Sequence, residues 1–198
     1  MTDLGLTQWL AAGVLAGALA AGSIAAARVY RRRSRRRALL ARIHRIALQE
    51  VHQVLVPDGM GGRIHIDHVL LTPRGVLILD TRRVHGVIFG GDQMSEWTVL
   101  ARGRRYTFEN PQPALYDRIA AVKAVFGAVP VDGRLVFSNL GKFTKGKPKC
   151  VTMVDGIELE FVQVDPSMRD SPAFANYMEA WRRFTAQLQP SPHSVTDL

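Results

Sequence analysis

Cysteine is almost absent: Cys150 stands alone among 198 residues. With no partner in the chain, it excludes a disulfide-stapled secreted module and agrees with a reducing compartment. Charge is missing from Leu4–Ala27, a run of 24 residues that is mostly Ala, Leu, Gly, Val and Ile. Acids are missing from the stretch that follows, where Arg28, Arg31, Arg32, Arg33, Arg35, Arg36, Arg37, Arg42 and Arg45 carry nine positive charges. Residues 46–198 show no excess of either sign, with 17 Lys and Arg against 16 Asp and Glu. The net charge of +9 and the pI of about 10.4 therefore belong to a short collar. A strongly basic domain that coats nucleic acid is excluded. No HExxH and no cysteine pair occur, which argues against zinc. Ser138 has no base pattern near it, so nucleophilic catalysis has no support.

The apolar run is long enough for a membrane helix, since a hydrocarbon core ~30 Å thick takes about 20 residues. A secretory signal would carry positive charge before its apolar stretch. Here only Asp3 precedes it, and Ala25–Ala27 offers no more than cleavage-like text. Arginine-rich flanks stay on the cytoplasmic side. The expected layout is a transmembrane helix at 4–30, a basic collar at 31–37, a cytoplasmic domain at 38–189 and a flexible tail at 190–198. That places a single-pass protein in the cell membrane with its N-terminus outside. Residues 4–37 would meet lipid, each collar arginine contributing roughly 1 kcal/mol on anionic lipid. Gly13 and Gly17 have the spacing at which two membrane helices approach closely, a route to a homo-oligomer. Protein partners are not legible.

Beyond the membrane run about 170 residues remain, enough for one domain with a core. Arg35–Gln49 reads as a helix with Leu39, Leu40, Ile43, Ile46 and Ala47 on one face. Glu50–Val56, Arg63–Leu71, Val76–Arg82, Val87–Phe89 and Trp97–Leu100 read as strands, with a loop at Gly90–Glu96. Pro113–Gly127 is a helix lined by Leu115, Ile119, Val122 and Phe126 and closed by glycine. Leu135–Ser138, Cys150–Val154 and Ile157–Val164 read as further strands. Ser171-Pro172 starts a last helix, whose stripe runs to about Gln189. This is an α/β (α+β) domain, a central mixed sheet flanked by helices.

One hairpin has spacing that chemistry could use. Ile64-His-Ile-Asp-His-Val-Leu-Leu71 leads through Thr72-Pro-Arg-Gly75 into Val76-Leu-Ile-Leu-Asp-Thr-Arg82. Side chains alternate faces along a strand, so Asp67 goes with His65 and Val69, and Asp80 with Ile78 and Arg82. A four-residue connection sets Asp67 across from Asp80, with Cβ atoms ~5 Å apart. A three-residue loop with a glycine bulge turns the two acids to opposite faces. Paired buried carboxylates need a cation or a proton. Mg²⁺ suits them, taking oxygen ligands, waters and a phosphate. Such an ion polarises a phosphodiester, and Arg82 would stabilise the developing charge. The plainer reading is a buried salt bridge from Asp80 to Arg82 or Arg83, with Asp67 capping a turn.

The run from Ile66 to Arg82, then Gly86 and the later Asn110-Pro111 ahead of a helix, resembles the nuclease-related domain (NERD) family over roughly residues 38–140. The resemblance implies a PD-(D/E)xK-like fold and Mg²⁺-dependent cleavage of DNA or RNA, with the domain behind a membrane helix. It implies the four-residue register, with Asp67 and Asp80 as metal ligands, the Thr81 carbonyl beside them and Arg82 as the catalytic cation. His65, Lys142, Lys145 and Lys147 are candidate phosphate contacts. The sequence departs from the family's Glu-x-Lys, which here reads Asp80-Thr81-Arg82. Arginine cannot give up its proton as a base. The first helix lacks the Gly-Glu pair, and Ala114 stands near the place of a usual glutamine, with Gln112 two residues before it. The alternative is a catalytically inactive NERD-like binding or scaffold module.

Overall fold

The computed structural model describes the backbone of residues 3–192 and the side chains of residues 21–192 other than 166, 169 and 173. The chain divides into two compact units, Met1–Leu40 and Ala41–Leu198. A continuous helix, α1, covers Asp3–Ile46. Within the first unit, Ile24, Val29 and Tyr30 are exposed. Among the described residues no helix is long and apolar enough to cross a membrane. The apolar run anticipated as a span starts in residues 4–20, whose side chains lie outside the description, as do Gly13 and Gly17.

The second unit is built on a sheet of β1 (Gln49–Pro57), β2 (Arg63–Thr72), β3 (Gly75–Arg82), β7 (Val131–Phe137), β9 (Val151–Met153) and β10 (Gln189–Pro190). Their order is β10-β1-β2-β3-β7-β9. The first four run antiparallel to their neighbours, while β7 lies parallel to β3 and β9 parallel to β7. A parallel step needs a crossover, and α2 (Gln112–Phe126) belongs to the connection from β3 to β7. A second sheet orders as β6-β5-β4-β8: β4 (Gly86–Phe89), β5 (Glu96–Ala101) and β6 (Arg104–Glu109) lie in that connection, and β8 (Gly141–Phe143) follows β7. Two mixed sheets thus replace the single sheet anticipated from the sequence. Trp97, Phe137 and Phe143 join them, with ring centroids 5.2 to 5.9 Å apart.

The central strands β2 and β3 are buried on both faces over most of their length, so they read as nearly continuous apolar runs. Val69, Leu71, Val76 and Ile78 share one core with Leu115, Val122 and Phe126 of α2. The same core takes Ala180, Trp181 and Phe184 of α4 (Pro172–Thr185). Ser171 caps α4 by accepting the Phe174 amide at 3.2 Å, with Pro172 in the first turn. That start follows the sequence signal; the helix stops at Thr185, short of the anticipated Gln189.

Three readings are corrected. Ile157–Val164 does not continue the sheet: a 3-10 turn at Val154–Gly156 leads into the short helix α3 (Ile157–Glu160). Its acids answer the end of α1. Arg42 bonds Asp155 at 2.8 Å and Glu158 at 3.2 Å, and Arg45 bonds Glu158 at 2.9 Å. Two collar arginines therefore serve folding. β6 was not anticipated. It closes a two-residue hairpin at Arg102-Gly103, both at positive φ (50° and 74°) as primed turns require. The tail is not wholly loose, since Gln189 and Pro190 pair with Leu55 and Val54. Residues 193–198 lie outside the description.

Candidate functional site

The hairpin turn is tighter than four residues. Thr72 already pairs with Gly75, and the Thr72 hydroxyl donates to the Gly75 carbonyl at 2.8 Å and accepts the Arg74 amide at 3.2 Å. The register is nonetheless the one that faces the acids. Leu71 pairs with Val76, Leu70 with Leu77, Val69 with Ile78 and His68 with Leu79. One step further comes Asp67 with Asp80, where the ladder stops and the side chains take over.

Both acids are buried, at 4% and 2% exposure. Asp67 turns one oxygen to Thr81: Oδ2 accepts the Thr81 amide at 2.8 Å and the Thr81 hydroxyl at 2.6 Å. Its other oxygen lies 3.7 Å from His65 Nδ1. Asp80 is gripped by arginine. Arg82 donates Nη1 to Oδ1 at 2.6 Å and Nη2 to Oδ2 at 2.9 Å, a two-pronged ion pair. The same Arg82 Nη1 donates to the Thr81 carbonyl at 3.0 Å. A second guanidinium arrives from α2, with Arg118 Nη1 3.3 Å from Asp80 Oδ2. Arg118 is held there by the His65 and Ala114 carbonyls, at 2.7 and 2.8 Å. Burial pushes the Asp80 carboxyl above its ordinary value, against the pull of Arg82 and Arg118; the charge on Asp67 pushes the same way as burial.

Sequence reasoning missed two neighbours. Arg118 sits between Leu115 and Val122 on the buried face of α2, at spacings of three and four. A lone arginine on an apolar stripe was the signal that it reaches an internal acid. Gln53 had no such signal. It lies opposite Asp67 by the register of β1 on β2, where the ladder skips a pair, and it adopts φ 53°. Gln53 Oε1 meets His65 Nε2 at 3.2 Å.

The three lysines proposed as phosphate contacts lie on β8 of the second sheet and in the segment after it. Lys142 lies on β8, Lys145 stands over the Phe89 ring at 6.0 Å, and Lys147 pairs with Glu160 at 3.7 Å. Lys142 and Lys147 line a hollow of about 560 Å³ with Asn139, Phe143, Met153 and Asp155. The Asn110-Pro111 segment is a clamp. Asn110 donates to the Met94 carbonyl and accepts the Gln112 amide, at 2.8 and 2.9 Å. Buried Gln112 donates to Asp92 and to the Lys149 carbonyl, each at 2.8 Å.

Magnesium is the cation that the acid pair brings to mind. It would need oxygens of Asp67, Asp80 and the Thr81 carbonyl at about 2.0–2.1 Å. The donors are of the right kind, but both Asp80 oxygens and the Thr81 carbonyl already hold guanidinium N–H groups. In this arrangement they do not fit the ion. Among the described residues no group of three or more His, Cys, Asp or Glu side chains could hold a metal.

Compared with known proteins, residues 36–138 match the nuclease-related domain (NERD), just over half of the chain. The chain belongs to the NERD family. The matched span takes in the β2–β3 hairpin, Arg118 and the Asn110 clamp. An uncharacterized protein of Bacillus anthracis is 29% identical over 73 residues, 37% of this chain and 34% of that protein. The match thus spans about a third of that relative's length. No solved structure matches the chain.

Proposed function

We propose that this NERD protein is a membrane-anchored nuclease-related domain that acts on the phosphodiester backbone of nucleic acid. The observation that carries the reading is the meeting of Asp67 and Asp80 with Arg82 and Arg118 at the end of the β2–β3 hairpin, inside the matched span. Arg82 is the accessible member, with 31% of its side chain exposed, and His65 is next to it in accessibility at 24%. A guanidinium binds phosphate through two parallel N–H groups. Arg82 is therefore the residue offered to an incoming phosphate, while Arg118 and Thr81 keep the acids compensated beneath it.

Mg²⁺-assisted cleavage is the chemistry that the family resemblance adds, with the two acids as ligands. It requires Arg82 to release Asp80 and the Thr81 carbonyl. The grip of Arg82 favours a second reading, a domain that binds nucleic acid and does not cut it. The near-neutral charge of residues 46–198 makes that binding weak and places much of it on the collar. Anchoring rests on Leu4–Ala27 and the arginines after it, which put the N-terminus outside and the domain at the cytoplasmic face.

The test is incubation of the full chain with end-labelled DNA and RNA, with Mg²⁺ or with a chelator. Cleavage that needs Mg²⁺ and disappears in Asp67→Asn and Asp80→Asn supports the nuclease. Binding without cleavage assigns the second reading. Neither binding nor cleavage removes both.

A further inference from the structure

We propose that the Arg82 guanidinium is an internal cation that fills the divalent-ion position of this domain, so that the resting protein takes up no divalent ion and gains a site when Arg82 is shortened. The proposal rests on reading Asp67 and Asp80 as the acid pair of a nuclease-related site. Arg82 Nη1 stands 2.6 Å from Asp80 Oδ1 and 3.0 Å from the Thr81 carbonyl oxygen, and Nη2 stands 2.9 Å from Asp80 Oδ2. One planar group thus contacts three of the oxygens that an ion beside Asp67 would use. Charge points the same way. Two buried carboxylates face two guanidiniums, Arg82 and Arg118 at 2.6 and 3.3 Å, and the cluster is neutral. A divalent ion added to that set would leave two uncompensated positive charges in a buried place, which is costly. With Arg82 removed, the balance is two acids against Arg118 alone, and an ion finds free oxygens on Asp80, Thr81 and the outer side of Asp67.

Arg82 can be taken away with less damage than its partners. Its side chain is 31% exposed against 3% for Asp80 and 16% for Arg118. Asp80 keeps Arg118 as a partner, and Asp67 keeps the Thr81 amide and hydroxyl. The fork also explains why arginine is suited to this position. An ammonium is a point charge that cannot reach both oxygens of one carboxylate and a carbonyl through two nitrogens.

The experiment is titration calorimetry of the full chain with MnCl₂ and MgCl₂, beside Mn²⁺ electron paramagnetic resonance to count bound ions. Wild type, Arg82→Ala, Arg82→Gln and Arg82→Ala/Asp67→Asn are compared, with circular dichroism on each. The expected result is no saturable site in wild type and one site in Arg82→Ala, at least about tenfold tighter than any wild-type binding. That site should vanish when Asp67→Asn is added. Arg82→Gln is shorter than arginine and uncharged but still able to hydrogen-bond, and carries the test if the alanine variant does not fold. A saturable wild-type site that Asp67→Asn abolishes overturns the internal cation while keeping the metal-dependent reading. Folded Arg82 variants that bind nothing overturn both the plugged site and the metal-dependent reading of the acid pair.

Discussion

Thr81 gives Asp67 both a backbone N–H and a hydroxyl, and this sets what substitutions there will cost. Thr81→Val removes the 2.6 Å hydroxyl bond but leaves the amide, and about 1–2 kcal/mol of stability should go with it. Asp67→Ala strands both donors in a buried place and should cost about 3 kcal/mol; urea unfolding measures both, and equal losses would contradict this arrangement. Asp80 carries a pH signature. Its carboxyl is raised above the ordinary 3.8 chiefly by burial, so the folded state holds that proton more tightly than the unfolded chain. Its contribution to stability is fully present below 3.8 and is lost as pH rises through the raised value. Asp80→Asn should flatten that part of the pH–stability curve, and an unchanged curve would place the titration elsewhere. Gly75 is a backbone requirement: φ is 117°, and an added Cβ would stand 2.4 Å from the Pro130 carbonyl oxygen. Gly75→Ala should lose about 2–4 kcal/mol on thermal unfolding, since neither the turn nor the β3–β7 contact can relax cheaply.

At the scale of elements, the caps and turns decide what forms. Ser171 accepts the Phe174 amide at the start of α4, and Ser171→Ala should cost about 1 kcal/mol, read as a lower unfolding midpoint with an unchanged denaturant slope. Periodicity made α2, α4 and the β2–β3 hairpin legible, because each buries a continuous apolar face against one core. It failed for Ile157–Val164. Among those residues only Ile157 is fully buried, and Glu158 is held by the arginines of α1 rather than by a strand partner. β6 escaped notice because its residues are largely exposed and only Tyr106 and Phe108 alternate in it, too short a pattern to stand out. Gln189–Pro190 pairs through its backbone alone.

For the whole molecule, the proposed membrane anchoring has two forms that salt separates. If Leu4–Ala27 inserts, the full chain should float with liposomes and remain bound in high salt. If the arginine collar alone holds it, high salt should release it, because screening weakens surface attraction. Replacing Arg31, Arg32, Arg33, Arg36 and Arg37 by glutamine should then abolish flotation only in the second case. Arg42 and Arg45 are left in place, since their ion pairs with Asp155 and Glu158 hold α3 to the end of α1.

The sequence by itself determined the family hairpin, most of the helices and the separation of the basic collar from a near-neutral domain. These follow from local spacing: alternation on strands, apolar stripes on helices, and turn residues at Thr72–Gly75. It left the register of the two acids, the sheet count and the state of the site undecided, and the tertiary structure decided all three. The two sheets meet through Trp97, Phe137 and Phe143, whose contacts no local pattern encodes. Arg118 reaches Asp80 only because α2 crosses behind β3. Arg82 grips Asp80 and the Thr81 carbonyl because the ladder ends at His68 and Leu79, freeing the side chains beyond it to turn toward one another.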